Sequence, residues 1–273
     1  MEQNRIAELK EQARKIRVGI IDAVHSAKSG HPGGSLSVAD ILTYLYFEEM
    51  NVDPANPADL MRDRLVLSKG HCSPALYSTL ANKGFFPIED LKTFRKADSY
   101  LQGHPDLKKV PGVDMSSGSL GQGLSVACGM ALSAKLNNED RRVYAVLGDG
   151  ESEEGQIWEA AMFASHYKLD NLCAVVDWNG LQIDGPVADV IGPAPFDTKF
   201  AAFGWNVVTA DGHDFESMDA AFKAAKVAKG KPTVIIATTT KGKGVSFMEN
   251  QVSWHGAAPN DEQYEIAMND LKA

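Results

Sequence analysis

The 273-residue sequence has little of what would place it outside a reducing, aqueous compartment. It has three cysteines, Cys72, Cys128 and Cys173, odd in number and too scattered for metal-ligand spacing. Neither a disulfide framework nor a zinc site is indicated, and the expected role of all three is as small apolar core residues in a reducing cytosol. No apolar run is long enough to span a bilayer. The N-terminus carries charges of both signs and no signal-peptide h-region, so the expected location is cytoplasmic, with no membrane partner. Positive charge is also short: a net charge of −9 leaves no basic footprint for nucleic acid. A phosphate-bearing ligand must therefore be held by metal, backbone amides and local cations rather than by overall attraction. Internal repeats, low-complexity segments and interdomain linkers are missing too, which points to one large domain over residues 1–273.

What is present is an ordinary globular composition, 44% hydrophobic and 23% charged. Ile6, Leu9, Ala13, Ile16 and Ile20 recur at spacings of three and four and predict an amphipathic helix over the first 27 residues. After a loop at 29–34, Ser37-x-x-Asp40 resembles a capping-box start for a helix reaching about Glu48. Residues 51–59 form a Pro/Asn/Asp-rich connection. Apolar strands are expected at 64–68, 142–147, 172–176, 205–209 and 233–238. Helices are expected after Gly70-His71 to Leu80 and at 120–136, 152–167, 215–227 and 261–272, with a short one between 195 and 205. Strands alternating with helices imply an α/β fold, a mostly parallel sheet with helices on both faces.

The chemistry concentrates at Gly148-Asp149-Gly150, where a buried strand runs into an acidic turn, and at Asn179, which ends the next strand. The carboxyl edge of an open parallel sheet is where ligands bind. A carboxylate and a carboxamide there are hard oxygen donors suited to Mg²⁺ or Ca²⁺ holding a diphosphate. The flanking glycines permit close backbone approach, and the following helix N-terminus favours negative charge. Gly148-Asp149-Gly150 alone is equally an ordinary βα turn. Asn179 is what adds weight to the metal. Four histidines, His31, His71, His104 and His255, sit in loops beside glycine, where an exposed imidazole can donate, accept and change charge near neutrality. A loop histidine with its own hydrogen bonds is the plainer reading of each. His25, His166 and His213 fall within helix patterns or a turn and are expected to be structural.

Ser29-Gly-His-Pro-Gly-Gly-Ser35, Ser68-Lys-Gly-His71, Gly103-His-Pro105, Gly118-Ser-Leu-Gly-Gln-Gly123, Gly148-Asp-Gly-Glu-Ser-Glu-Glu-Gly155 and Trp254-His-Gly256 follow one another in the order found in transketolases. The chain resembles the N-terminal, diphosphate-binding half of a transketolase over nearly its whole length. Gly118 to Gly123 lacks the preceding strand and following acid of a dinucleotide loop. The resemblance implies thiamine diphosphate as cofactor and Mg²⁺, with Ca²⁺ or Mn²⁺ able to substitute. It makes Asp149, Asn179 and the Leu181 carbonyl the metal ligands; the family often has Asn or Asp where Trp178 stands. It places His71, Ser119, Leu120, Gly148, Gly150, Glu151 and His255 at the cofactor. His31, His104 and His255 become the catalytic groups facing substrate. Glu154 matches an acid linking paired active sites across a dimer interface, or is simply a helix N-terminal carboxylate. The segment 239–244 resembles a mobile loop that orders over bound cofactor, or is a flexible, solvated basic turn.

The implied reaction, at home in pentose phosphate metabolism, moves a two-carbon ketol unit from a ketose phosphate to an aldose phosphate. The pyrimidine-binding and C-terminal domains of that family are absent. The expectation is therefore the N-terminal subunit of a split transketolase, inactive alone. Its expected partner is a C-terminal subunit carrying the pyrimidine-binding domain, in an α2β2 heterotetramer. The start at Met1 and the terminal helix favour a natural subunit over a fragment. The alternatives are a thiamine-diphosphate ketol or acyl transferase for another sugar, such as a branched or sulfonated one, and a non-catalytic cofactor-binding subunit.

Overall fold

Alternation along the central strands decides the architecture. Leu65, Leu67, Tyr144, Val146, Cys173, Val175, Ile235 and Ala237 are buried in one apolar cluster; Val66, Val143, Ala145, Leu147, Ala174, Val176, Val234 and Ile236 are buried in another. Successive strand residues point to opposite faces, so a strand apolar at every position needs cover on both. The computed structural model describes residues 1–272. It contains β1 (Arg64–Leu67), β2 (Val143–Gly148), β3 (Leu172–Trp178), β4 (Leu181–Gln182), β5 (Gly185–Pro186), β6 (Asn206–Asp211) and β7 (Thr233–Thr238). Five of these form a parallel sheet in the order β1-β2-β3-β7-β6, while β4 and β5 make a small antiparallel pair.

Helices α1 (Gln3–Ala27), α2 (Pro32–Ser37), α3 (Ala39–Tyr44) and α4 (Ser73–Lys83) cover the first face. Helices α5 (Gln122–Leu136) and α6 (Gly155–His166) cover the second. After the single turn α7 (Val187–Val190), α8 (Phe196–Ala202) joins the second face, and α9 (Phe215–Val227) and α10 (Asp261–Asp270) return to the first. The stripe predicted on α1 is the buried one: Leu9, Ile16 and Ile20 are fully covered, each burial worth about 1.5–3 kcal/mol. Asn260 and Gln263 start α10 with a reciprocal capping box. Cys72, Cys128 and Cys173 are free and buried, as core residues should be.

Three local expectations are corrected. Ser37 does not cap a helix; it is the last residue of α2, and its hydroxyl donates to the Gly34 carbonyl (3.0 Å) and to Asp177 (2.6 Å). Helicity begins earlier, at Pro32, whose ring presets the first turn. The helix expected from 152 starts at Gly155, because Gly150–Glu153 form a tighter 3₁₀ turn. The stretch after Asn179, where no element is predicted, contains the β4–β5 pair.

Register places the site. Gly148 pairs with Asp177, and Trp178 with Thr238, so Asp149, Asn179 and Thr239 leave the sheet side by side at its carboxyl edge.

Candidate functional site

Asp149 is 3% exposed and locked between two loops. One carboxylate oxygen accepts from Gly150 N at 2.8 Å, the other from Gly180 N at 2.6 Å. Asn179 is fixed similarly: its oxygen accepts from Leu181 N (3.1 Å), while its amide nitrogen faces Asp177 and Ser37, both at 3.4 Å. The Leu181 carbonyl accepts from the Lys241 ammonium at 3.1 Å. Burial, then the neighbouring Asp177 charge, push Asp149 above the usual carboxylate range. A buried carboxylate with a raised pKa in a cleft is a candidate functional group.

Among the described residues no three His, Cys, Asp or Glu side chains converge to hold a metal unaided. One carboxylate, one carboxamide and one carbonyl are hard donors, but too few for the coordination sphere of Mg²⁺. The remaining oxygens would come from water and from a ligand such as a diphosphate. Two lysines supply the matching charge, and sequence reasoning missed both. Lys69 is 3% exposed and donates to Asp177 at 2.5 Å; Lys241 is 2% exposed. Burial opposes the Lys69 charge, but Asp177 outweighs it and raises the pKa. Lys241 has no carboxylate bonded to it, and burial, then Lys69, bring it down to about 8. These donors fit a metal–diphosphate group.

Asp177 was likewise missed. It is fully buried and takes Lys69, Ser37 and, on its other oxygen, the Thr239 hydroxyl at 2.5 Å. An acid closing an otherwise apolar strand was the available signal, since a buried charge demands partners. The segment 239–244 is not a solvated turn. Thr239 is tied to Asp177, Gly242 N donates to the Gly33 carbonyl (2.9 Å), and Lys241 points inward.

The rings of His31, His71 and His255 form a triangle with centroids 5.2, 5.3 and 5.5 Å apart. Gly34 lets α2 approach this closely, since a Cβ there would lie 2.9 Å from Cys72 Sγ and 3.7 Å from His71 Nε2. The Nδ1 atoms of His31 and His255 are buried without a hydrogen-bond partner. Burial is the main cause holding all three neutral, His31 down to about 4, His255 to about 3 and His71 well below its ordinary value. His104 is exposed, lowered by burial and then by Arg95, and packs on Gly118, whose φ of 155° and lack of a side chain leave room for the ring.

One cavity of about 400 Å³ collects His31, His71, His104, His255, Leu120, Gly148, Asp149, Gly150, Asn179 and Leu181, together with Lys69 and Lys241. Glu151 also borders it, but its carboxylate is used inside the protein. It accepts from Gly148 N (2.8 Å), Gly121 N (2.9 Å) and the Ser68 hydroxyl. Glu154 lines the rim and is exposed; Ser119 is exposed and stands outside the cavity lining. A wider hollow of about 610 Å³ opens at the opposite edge beside Arg62, Arg64 and Arg141, but there Arg62 and Arg64 are engaged with Asp114 and all three with backbone carbonyls.

The neutral trio has a measurable cost in acid. Between pH 6.5 and about 4 the unfolded chain binds protons that folded His31 and His255 refuse, so stability falls as pH drops through that window. The thermal midpoint of a His31→Gln/His255→Gln variant should depend less on pH from 7 to 4.5 than that of the parent. Equal slopes would mean the imidazoles titrate normally.

Residues 9–271 match the family described as transketolase, thiamine diphosphate binding domain. The chain is 45% identical over 265 residues to the 6-deoxy-6-sulfo-D-fructose transketolase subunit SqwG of a Clostridium species, covering 97% of this chain and 96% of that protein. It is 45% identical over 260 residues to an apulose-4-phosphate transketolase subunit of Phocaeicola vulgatus, covering 95% and 92%. The transketolase structure from Campylobacter jejuni superposes with a TM-score of 0.92 at 38% identity, covering 98% of this chain but 43% of that one.

Proposed function

We propose, from the premise that this chain belongs to the transketolase family through its thiamine diphosphate binding domain, how its cleft serves ketol transfer. The chain is a subunit of a split transketolase, moving a two-carbon ketol unit from a ketose phosphate to an aldose phosphate. Asp149, Asn179 and the Leu181 carbonyl would hold Mg²⁺, with Ca²⁺ or Mn²⁺ as substitutes, together with oxygens of the diphosphate and water. Lys69 and Lys241 would neutralise the diphosphate, and His71, His255 and the amide of Gly150 would orient it. Leu120, 36% exposed at the rim, offers an apolar contact to the cofactor rings, with Ser119 beside it.

Bound thiamine diphosphate supplies a carbon nucleophile able to stabilise the electron pair left on the two-carbon fragment. The histidines do the rest on this side of the cleft. A neutral imidazole donates from one ring nitrogen and accepts at the other. His31, His104 and His255 can therefore hold sugar hydroxyls and steady negative charge developing on the carbonyl oxygen. The unpartnered Nδ1 atoms of His31 and His255 support this, because a buried polar atom without a partner awaits one. The single observation that carries the reading is the meeting of the Asp149–Asn179–Leu181 donors with the imidazole triangle in one cavity.

Residues 1–273 act as one diphosphate-binding domain, and the remaining walls of the cleft come from a cytoplasmic partner subunit bearing the pyrimidine-binding domain, in an α2β2 assembly. Glu154, exposed at the rim, faces that interface. The relatives named as subunits, matched over nearly their full length, support the split. Purified alone with Mg²⁺ and thiamine diphosphate, the chain should give no ketol transfer; adding the partner should restore it. A panel of phosphorylated, branched and sulfonated ketoses then identifies the donor. Strong turnover by the chain alone would sink the split.

A further inference from the structure

The segment that carries Lys241 is gripped from behind. Thr240 N donates to His213 Nε2 at 2.8 Å, just before the lysine, and the Lys243 carbonyl accepts from Arg17 Nε at 3.1 Å, just after it. Both grips converge on Asp40, which accepts from Arg17 Nη1 (2.9 Å) and Nη2 (2.5 Å) and lies 2.6 Å from His213 Nδ1. Because Thr240 donates to Nε2, that nitrogen must be the acceptor, and the ring proton sits on Nδ1 facing Asp40. Burial opposes the Asp40 charge, but Arg17 and then His213 hold it down to about 2, so a carboxylate is present to orient the ring. Arg17 comes from α1, Asp40 from α3, and His213 from the turn after β6. None of the three lines the cavity.

From this geometry we infer that His213 is a positioning residue for cofactor binding: with Asp40 and Arg17 it clamps residues 240–243 so that Lys241 is held in the diphosphate site. The inference rests on the proposed role of Lys241. Its energetic logic is that of preorganisation. A buried lysine has many rotamers to lose and a desolvation penalty to bear, and a backbone fixed on both sides of it keeps those costs out of the binding step. The clamp is more than a tie between α1 and α3, since the Arg17–Asp40 pair alone would provide that tie. His213 adds the link to the Thr240 amide.

The test compares His213→Ala and His213→Gln with the parent by three measurements. These are amide hydrogen exchange at Thr240 and Gly242 in the full chain without cofactor, the thermal midpoint, and the half-saturating thiamine diphosphate concentration with the partner subunit present. In His213→Ala, loss of one hydrogen bond should speed exchange at Thr240 about tenfold and raise the half-saturating concentration about tenfold. The kcat at saturating cofactor should stay within about twofold, because only binding is affected. Glutamine retains an acceptor and a donor on one amide and should recover most of both losses. A lower thermal midpoint with unchanged Thr240 exchange and unchanged half-saturation would overturn the clamp. If Lys241 does not hold diphosphate, Thr240 exchange still responds to His213 while the cofactor titration does not. If the clamp itself is wrong, neither responds.

Discussion

Asp149→Ala, reconstituted with the partner subunit, should lose at least about a hundredfold in apparent affinity for Mg²⁺–thiamine diphosphate, more than is typical when only an outer-shell partner of a metal is removed. Activity at ordinary cofactor concentrations should vanish with it. Asp149 is the one carboxylate in the proposed ligand set, so the remaining donors, Asn179 and the Leu181 carbonyl, are neutral. The fold should survive. Alanine leaves the amides of Gly150 and Gly180 without their acceptor, but also removes a buried negative charge that Asp177 repels. These opposing effects, each of order 1–3 kcal/mol, leave the thermal midpoint close to that of the parent. Isothermal titration and circular dichroism on one preparation separate the two claims. Cofactor affinity within tenfold of the parent would remove Asp149 from the metal.

Asp177→Ala should instead damage the fold, by about 3–5 kcal/mol, the usual result of leaving a buried charge without its partner. That corresponds to a fall of about 10 °C in the thermal midpoint for a chain of this size. Lys69 is 3% exposed and loses its counter-charge; Ser37 and Thr239 lose an acceptor. The pH dependence should also change sign. In the parent, Asp177 raises Lys69, a contribution present below the lysine's unfolded pKa and lost only as pH rises through the folded value. Without Asp177, burial lowers Lys69 against only the weaker opposing pull of Cys72 and Asp149. The unfolded chain then binds the proton more readily, and stability rises with pH from 7 towards 10. A shift under about 3 °C with no pH dependence would mean that Lys69 escapes to solvent in the variant.

The sheet and its two apolar faces were legible because strand alternation and the α1 stripe are local patterns, and the core follows them residue by residue. The proposed metal donors and the loop histidines of the cleft stood out for a similar reason: each sits in a short glycine-flanked motif. Lys69, Lys241 and Asp177 were not. Nothing within a few residues of Lys241 distinguishes it from Lys243, yet one is 2% exposed and the other is not buried. Its fate is decided by Gly33, Leu181 and His213, all distant in the chain. Sequence patterns report faces and turns; they do not report which charged side chain finds distant partners. Glu151 illustrates the converse. Its place in a cofactor motif puts it at the cavity border, and the tight turn at Gly150–Glu153 directs its carboxylate back into the protein, a use the motif did not reveal.

That inward carboxylate has a consequence for the workshop tolerances of the site. Glu151 joins the end of β2 through Gly148, the end of β1 through Ser68 and the lead-in to α5 through Gly121. Those are the origins of the Asp149 turn, the His71 turn and the Leu120 rim. One buried side chain thus works as a gauge block, fixing the distances among three pieces of chain that sequence separation leaves independent. Drift in any one of them is passed on to the others, so the mould keeps its proportions when it moves.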